Sequence, residues 1–117
     1  MHEVAITSAL VEQVRSFLPE GGTLIEVRVE VGKLEHLDPG VMETIWAMSI
    51  EDTELAGAVL IIHSVPLRVR CENCLKEWLP EDPALLVCPQ CGAARPKILE
   101  GSGVLLRSLE VEERSGG

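Results

Sequence analysis

The feature that most constrains this chain is a set of four cysteines arranged as two closely spaced pairs. Two residues separate the cysteines within each pair and thirteen separate the pairs; the set is Cys71, Cys74, Cys88 and Cys91. Two thiolates on one tight turn can occupy adjacent corners of a tetrahedron, so two such pairs predict a four-thiolate metal site. Zinc is the common structural choice for such ligands. Because four protein ligands leave no open position for water or substrate, we expect the site to be structural.

Two other uses of the cysteines stay open from the pattern alone. Disulfides are the weaker interpretation, because paired CxxC motifs are typical of a metal site in a reducing compartment. A thioredoxin-like dithiol would carry one CxxC at a helix start, whereas here two pairs match each other. Gly92, which follows the second pair, can adopt the positive φ typical of a turn around a metal ligand.

Length and charge exclude several classes of protein. The 117 residues suffice for one ordinary domain, or for a small core plus one metal-bound module. Nineteen acidic residues against ten basic ones give a net charge of −9, so we expect no nucleic-acid partner. The longest aliphatic stretch, residues 58–62, is far shorter than the roughly 20 residues that span a bilayer, and the first residues lack the basic segment of a signal peptide. We therefore expect a soluble, cytoplasmic protein with no membrane partner.

Hydrophobic periodicity predicts that the chain begins with a helix followed by a strand. The helix is predicted over residues 3–18. Its apolar positions are Val4, Leu10, Val11, Val14, Phe17 and Leu18. Residues 25–31 alternate between aliphatic and charged side chains, which predicts a strand with one buried face. The buried side chains expected there are Ile25, Val27, Val29 and Val31.

A second helix and two further strands are predicted after this strand. Asp38 followed by Pro39 is typical of a helix start, and about three turns are predicted, ending by Gly57. The apolar positions of this helix are Val41, Ile45 and Met48. The aliphatic run at residues 58–65 is typical of a buried central strand, and a last strand is predicted over residues 104–112.

These elements predict an α+β fold with a small sheet of about three strands and two helices, carrying an inserted four-cysteine module of the zinc-ribbon type. Residues 1–66 together with 98–117 would form one domain, and residues 67–97 the module. The acidic surface belongs to the first of these parts, because residues 1–66 alone carry a net charge of −8.

The amino terminus has a coordination chemistry of its own. The chain opens with Met1, His2 and Glu3, and a free Met1 amine is expected because an initiator methionine is usually retained before histidine. This amine, the deprotonated His2 amide and the His2 imidazole can close two adjoining chelate rings, and the Glu3 amide can supply a fourth nitrogen. Planar nitrogen ligation suits Ni²⁺ and Cu²⁺ rather than Zn²⁺. From the residues alone, an idle histidine in a disordered terminus is the alternative.

Several segments together resemble the hydrogenase-maturation nickel chaperone family of the HypA/HybF type. They are MHE at the start, VRVEVGKLEHLDP, the CxxC and CPQCG motifs, and LRSLEVEE. Members of that family are small cytoplasmic proteins with a nickel domain and a zinc domain. They deliver nickel to the large subunit of [NiFe]-hydrogenase together with a maturation GTPase. The resemblance implies the same function here, that of a nickel metallochaperone and not of an enzyme.

The resemblance also implies roles for individual residues. His2 would be the main nickel ligand, completed by the Met1 amine and neighbouring backbone amides and supported by Glu3. The residues corresponding to the zinc ligands are Cys71, Cys74, Cys88 and Cys91. The sequence contains no GxxxxGK[ST] motif, which agrees with nucleotide hydrolysis by a partner.

The remaining histidines and two competing functions complete the predictions. His36 is expected to be a surface or capping residue, and His63 a hydrogen-bonded strand residue, rather than nickel ligands. A zinc-ribbon adaptor without labile nickel would be indifferent to His2. A dithiol oxidoreductase would have a reactive Cys71 or Cys88 once zinc is removed.

Overall fold

The computed structural model describes residues 2–19 and 21–113. Its elements in chain order are α1 (Glu3–Phe17), β1 (Gly22–Gly32), a short 3-10 helix (Lys33–Glu35), α2 (Pro39–Ile50), β2 (Val59–Val65), β3 (Arg68–Arg70), β4 (Glu77–Trp78), β5 (Lys97–Glu100) and β6 (Val104–Glu113). The strands form two three-stranded sheets, in the orders β2-β1-β6 and β4-β3-β5. The predicted α+β class is confirmed.

The chain divides into two compact units. The first comprises residues 1–30, 37–63 and 105–117, and the second comprises residues 31–36 and 64–104. Both helices lie in the first unit, whereas the short strands β3, β4 and β5 lie in the second with the four cysteines. The predicted division into residues 1–66 with 98–117 and residues 67–97 stays a prediction about which parts carry the two metals. No helix within the described ranges combines the length and apolarity needed to cross a membrane.

Helix α1 packs against α2 through a different stripe from the predicted one. Its buried residues are Glu3, Thr7, Leu10, Val11 and Val14, which recur at helical spacing. Val4 and Phe17 are exposed, so their prediction as core residues is wrong. Leu10 and Val14 belong both to the predicted stripe and to the buried one. The buried stripe continues towards the start of the helix through the polar side chains of Glu3 and Thr7.

Helix α2 begins as predicted. The Asp38 carboxylate Oδ1 accepts hydrogen bonds from the backbone N–H groups of Gly40 (2.9 Å) and Val41 (3.3 Å). The helix ends at Ile50, earlier than Gly57, because the Thr53 hydroxyl and backbone N–H both donate to the Ile50 carbonyl and turn the chain there.

The buried face of α2 lies one residue away from the predicted face. Met42, Trp46 and Ile50 are buried, whereas Val41 and Met48 are exposed. The helix is apolar around most of its circumference, so its sequence marks no single inward face. The choice is fixed by Trp46, whose indole Nε1–H donates to the Ala58 carbonyl at 3.0 Å.

The long sheet has β1 at its centre and β2 at its edge. Val27, Val29 and Val31 are buried as predicted, but at the start of β1 the buried side chain is Leu24 and Ile25 is exposed. The prediction of residues 58–65 as a buried central strand is wrong: within β2 only Leu60 is buried. An apolar run signals burial, but it cannot tell an edge strand from a central one.

The second unit has a small core around its short sheet. Leu67, Val69, Cys71 and Cys88 are buried there, and Val69 lies opposite Trp78 in the β3–β4 register. These strands have two to four residues each and were not predicted, because alternation needs a longer segment to be recognised.

Candidate metal centres

Four sulfur atoms in the second unit lie where a single metal ion could bind all of them. The ligand atoms of Cys71, Cys74, Cys88 and Cys91 lie within 4.8 Å of one another. The Sγ–Sγ distances Cys71–Cys91 and Cys74–Cys88 are both 3.5 Å, and each joins a cysteine of one pair to a cysteine of the other. Tetrahedral ligation with metal–sulfur bonds of about 2.3 Å needs sulfur–sulfur separations of about 3.8 Å. The cluster therefore fits four-thiolate ligation of one metal ion.

Both CxxC pairs lie on turns with the same hydrogen bonds. The Cys71 carbonyl accepts from Leu75 N–H (2.9 Å), and Cys71 N–H donates to the Lys76 carbonyl (2.8 Å). In the second turn, the Cys88 carbonyl accepts from Gly92 N–H, and Cys88 N–H donates to the Ala93 carbonyl, both at 2.9 Å. The equivalent turns present their sulfurs alike, which is what a tetrahedral site built from two pairs requires.

Leu75 occupies the same place in the first turn as Gly92 in the second. Their φ angles are 66° and 77°. Glycine adopts this conformation freely, whereas a leucine there costs on the order of 1–2 kcal/mol. The Leu75 side chain is 68 % exposed, so little burial offsets the strain. The positive φ of Gly92 was predicted; aligning the two CxxC motifs would have located Leu75 too, because both residues directly follow the second cysteine of their pair.

The thiols of the metal-free cluster differ in acidity. The backbone N–H of Ala93, then the Asn73 amide and the Cys71 thiol, lower the pKa of Cys91 to about 6. For Cys74 the backbone N–H of Lys76 lowers the pKa, but burial and hydrogen bonds with the other thiols outweigh it and raise the pKa to about 11. Cys91 is therefore largely a thiolate at neutral pH before any metal binds.

His2 lies directly before α1, at its N-cap position, and is exposed. Its side chain makes no capping hydrogen bond, and its carbonyl accepts from Ile6 N–H at 3.0 Å. The N–H groups of the first helical turn have no partner within a helix. A metal ion bound by the His2 imidazole and by amide nitrogens at this end would therefore break no helical hydrogen bond. Met1, whose amine is predicted to join His2 and Glu3 in the nickel site, lies outside the described residues.

Glu3 is buried at the start of α1 and joins it to the start of α2. One carboxylate oxygen, Oε1, accepts from Asp38 N–H at 3.2 Å. The amino-terminal ammonium group, the Glu3 backbone N–H and the Asp38 backbone N–H all favour the charged carboxylate and lower the pKa of Glu3 to about 2. The sequence identified Asp38 only as a helix cap, because nothing local indicates a contact across 35 residues.

Neither of the other two histidines belongs to the cysteine cluster. His36 caps the 3-10 helix with φ 55° and is exposed, as predicted. His63 is exposed on β2, where it lines a groove of about 370 Å³ with Arg28, Glu30 and Arg107. Over residues 2–19 and 21–113, the cysteine cluster is the one group of three or more His, Cys, Asp or Glu side chains placed to hold a metal ion. A nickel site at the amino terminus would thus depend on backbone nitrogens as well as on His2.

Comparison with known proteins identifies the family. The model of the family described as "Hydrogenase/urease nickel incorporation, metallochaperone, hypA" matches residues 1–111. The chain belongs to this family. The resemblance drawn from the sequence motifs is confirmed, and the family is one of metallochaperones rather than enzymes.

Relatives and solved structures agree with this family. Proteins named Hydrogenase maturation factor HypA are similar to the chain over nearly its whole length: 33 % identical in Streptomyces avermitilis, covering 97 % of this chain and 88 % of that protein, and 34 % identical in Desulfosudis oleivorans, covering 97 % and 100 %. The solution structure of the Ni metallochaperone HypA from Helicobacter pylori matches 97 % of this chain and 100 % of its own, with a TM-score of 0.64 and 22 % identity. At that identity the structural match supports the fold alone. The chain is thus a member of a nickel metallochaperone family of hydrogenase maturation that carries a four-cysteine metal site.

Proposed function

We propose that this chain binds Ni(II) at its amino terminus and delivers it during maturation of [NiFe]-hydrogenase. The nickel ligands would be the His2 imidazole, the Met1 amine and neighbouring amide nitrogens, with Glu3 in support. The observation that carries this proposal is that His2 is exposed and its imidazole is not used to cap α1. An exposed cargo site suits a carrier, because the receiving protein must reach the metal to remove it.

The contacts of Glu3 favour a supporting role for this residue. Its buried carboxylate already accepts a hydrogen bond from Asp38, 35 residues along the chain. This contact holds the beginning of α1, and with it His2, against the start of α2. Glu3 would accordingly act as a positioning residue that limits the disorder of the terminal ligands.

The zinc ion would be structural and held by Cys71, Cys74, Cys88 and Cys91. Their mutual distances and the matched turns support this proposal, since Zn²⁺ prefers four thiolates in tetrahedral array. Bound there, zinc would supply cross-links between the two turns and no reaction chemistry. Nickel would belong to the domain of residues 1–66 with 98–117, and zinc to the module of residues 67–97.

The partners proposed are a maturation GTPase and the hydrogenase large subunit, in the cytoplasm. Membership of a family described by nickel incorporation supports them. Transfer can be followed with radioactive nickel loaded on the chain, mixed with the nickel-free large subunit in the presence or absence of the GTPase and GTP. The proposal expects label in the large subunit, and faster transfer with the GTPase and GTP; label that stays on the chain under every condition contradicts delivery.

Nickel binding itself is tested by calorimetric titration of zinc-loaded protein that begins with a free Met1. We expect one equivalent to bind, and His2→Ala to weaken binding by more than tenfold. The matched controls His36→Ala and His63→Ala remove exposed imidazoles elsewhere and should bind nickel like the parent chain. One extra glycine before Met1 displaces the amine and should weaken binding as His2→Ala does. Equal binding by His2→Ala and the parent would refute the terminal site and favour a zinc-ribbon adaptor.

A further inference from the structure

Strand β2 is an edge strand that lacks the charged residues and prolines with which edge strands usually prevent pairing with another strand. It has β1 on one side and no strand of the described chain on the other. Its seven residues, VLIIHSV, contain no Lys, Arg, Asp, Glu or Pro, the residues with which edge strands resist pairing. The opposite edge differs, because β6 carries Arg107, Glu110 and Glu112. The free backbone edge of β2 is therefore open to a further strand.

An apolar groove accompanies this edge. It has a volume of about 450 Å³ and is lined by Glu43, Trp46 and Ala47 of α2 and by residues 58–62. The three α2 residues are spaced three and four apart, so one stripe of the helix faces the strand. Val59 and Ile61 are 54 % and 40 % exposed, which leaves apolar surface beside the free edge. A strand added to β2 would place alternate side chains between β2 and α2.

Charge selects the occupant. Among the described residues that line the groove, Glu43 alone is charged, and residues 1–66 carry a net charge of −8. Two copies of this chain paired edge to edge would bring two strongly acidic surfaces together, which is unfavourable. An extended segment with basic residues beside its apolar ones is instead attracted.

We infer that the groove between α2 and β2 is a docking site for an extended, basic and apolar segment of a partner protein, which adds to β2 as a fourth strand. Main-chain hydrogen bonds to β2 supply affinity, apolar side chains fill the space beside Trp46 and Ala47, and a Lys or Arg pairs with Glu43. This site is separate from nickel binding and does not depend on it.

The probe is the synthetic peptide Ac-KTVTVTK-NH2, titrated into full-length, zinc-loaded, nickel-free protein labelled with ¹⁵N. Its two valines and two lysines fall on one face of a strand, and its symmetry presents a lysine to Glu43 in either chain direction. We expect shifts confined to β2 amides and the Trp46 indole, with slower hydrogen exchange in β2. Binding of Ac-ETVTVTE-NH2 should be at least tenfold weaker, and binding of the basic peptide should weaken as salt is added.

Backbone pairing is tested by methylating peptide nitrogens. One peptide carries N-methyl groups on both valines and another on all three threonines; in a strand these two sets point to opposite sides. One set must face β2, so one of the two peptides should lose binding and the other should keep it. If both bind like the parent peptide, or if the shifts lie outside β2 and α2, the proposal is overturned.

Variants of α2 locate the groove. Ala47→Arg fills it and adds a repelling charge, and Glu43→Lys reverses the attracting charge; each should weaken binding at least tenfold. Both positions are exposed on the helix, so the fold should survive. Ser49→Arg is the matched control, because Ser49 is exposed on the same helix but does not line the groove, and it should bind the peptide like the parent. Equal weakening by all three variants, or a dimer of the parent in sedimentation that Ala47→Arg dissociates, would overturn the proposal.

Discussion

In the second unit the backbone at Gly32 passes very close to the backbone at Gly101, and substitution of Gly32 tests this close approach. A Cβ atom added at Gly32 would lie 2.2 Å from the Gly101 carbonyl oxygen and 2.6 Å from the Ser102 nitrogen. The neighbours are backbone atoms, so no side-chain rotation can relieve the contact. Gly101 itself has φ 95°, and a Cβ there would lie 2.5 Å from Leu67 Cα. Three chain segments thus pack at distances that only glycine permits.

Gly32→Ala should therefore be strongly destabilising. Separation to an ordinary contact of roughly 3.4 Å requires a backbone shift of more than about 1 Å, and overpacking costs about 1–3 kcal/mol. The shift also strains two hydrogen bonds, Gly32 N–H to the Gly103 carbonyl (2.9 Å) and Leu34 N–H to the Gly101 carbonyl (3.0 Å). Each contributes about 0.5–1.5 kcal/mol. The expected loss in the free energy of unfolding is about 2–6 kcal/mol, or about 8–24 °C in Tm at roughly 4 °C per kcal/mol.

The assay is urea and thermal unfolding of zinc-loaded protein, followed by tryptophan fluorescence in a Trp46→Phe background, so that Trp78 reports on the second unit alone. The matched control is Gly103→Ala, where φ is 81° but nothing lies within 4 Å of the added Cβ. That control should lose only the roughly 1–2 kcal/mol of a left-handed alanine. If Gly32→Ala lowers the free energy of unfolding by no more than Gly103→Ala does, the backbone at Gly32 does not approach Gly101 and Ser102 as closely as described.

Three further predictions follow from single side chains. The Thr7 hydroxyl is fully buried and has no hydrogen-bond partner among the residues that the structure describes, so Thr7→Val should raise the free energy of unfolding by about 1 kcal/mol. A lower free energy of unfolding in chemical denaturation would show that the hydroxyl is satisfied. Leu75→Gly should stabilise the zinc-loaded protein by up to about 1 kcal/mol by relieving positive-φ strain, whereas Gly92→Leu should destabilise it by about 1–2 kcal/mol. If urea unfolding shows that Leu75→Gly destabilises the protein, or that Gly92→Leu does not, the two turns are not equivalent. Zinc affinity should fall as pH falls, because thiols must lose protons to bind. Since the pKa of Cys91 is lowered to about 6, the dependence should steepen below that pH, and competition titrations against a chelator showing no change of slope would contradict that acidity.

Prediction from sequence succeeded where the signal is local. The N-cap of α2 and the positive φ of Gly92 depend on residues within one turn, and both are present. Each CxxC pair likewise needs only a tight turn, and both turns are present. Prediction failed where two solutions satisfy the same pattern. The inward face of α2, which is apolar on several sides, is set by the hydrogen bond of Trp46 to Ala58.

The sequence by itself determined the two CxxC turns, the N-cap of α2 and the order of the long helices and strands, because each rests on neighbours in the chain. The tertiary structure alone decided that Glu3 is buried against Asp38, that β2 is an edge strand beside an apolar groove, and that Gly32 and Gly101 meet. These features join residues tens of positions apart. Their energies depend on which surfaces meet after folding, and no local propensity or periodicity encodes that choice.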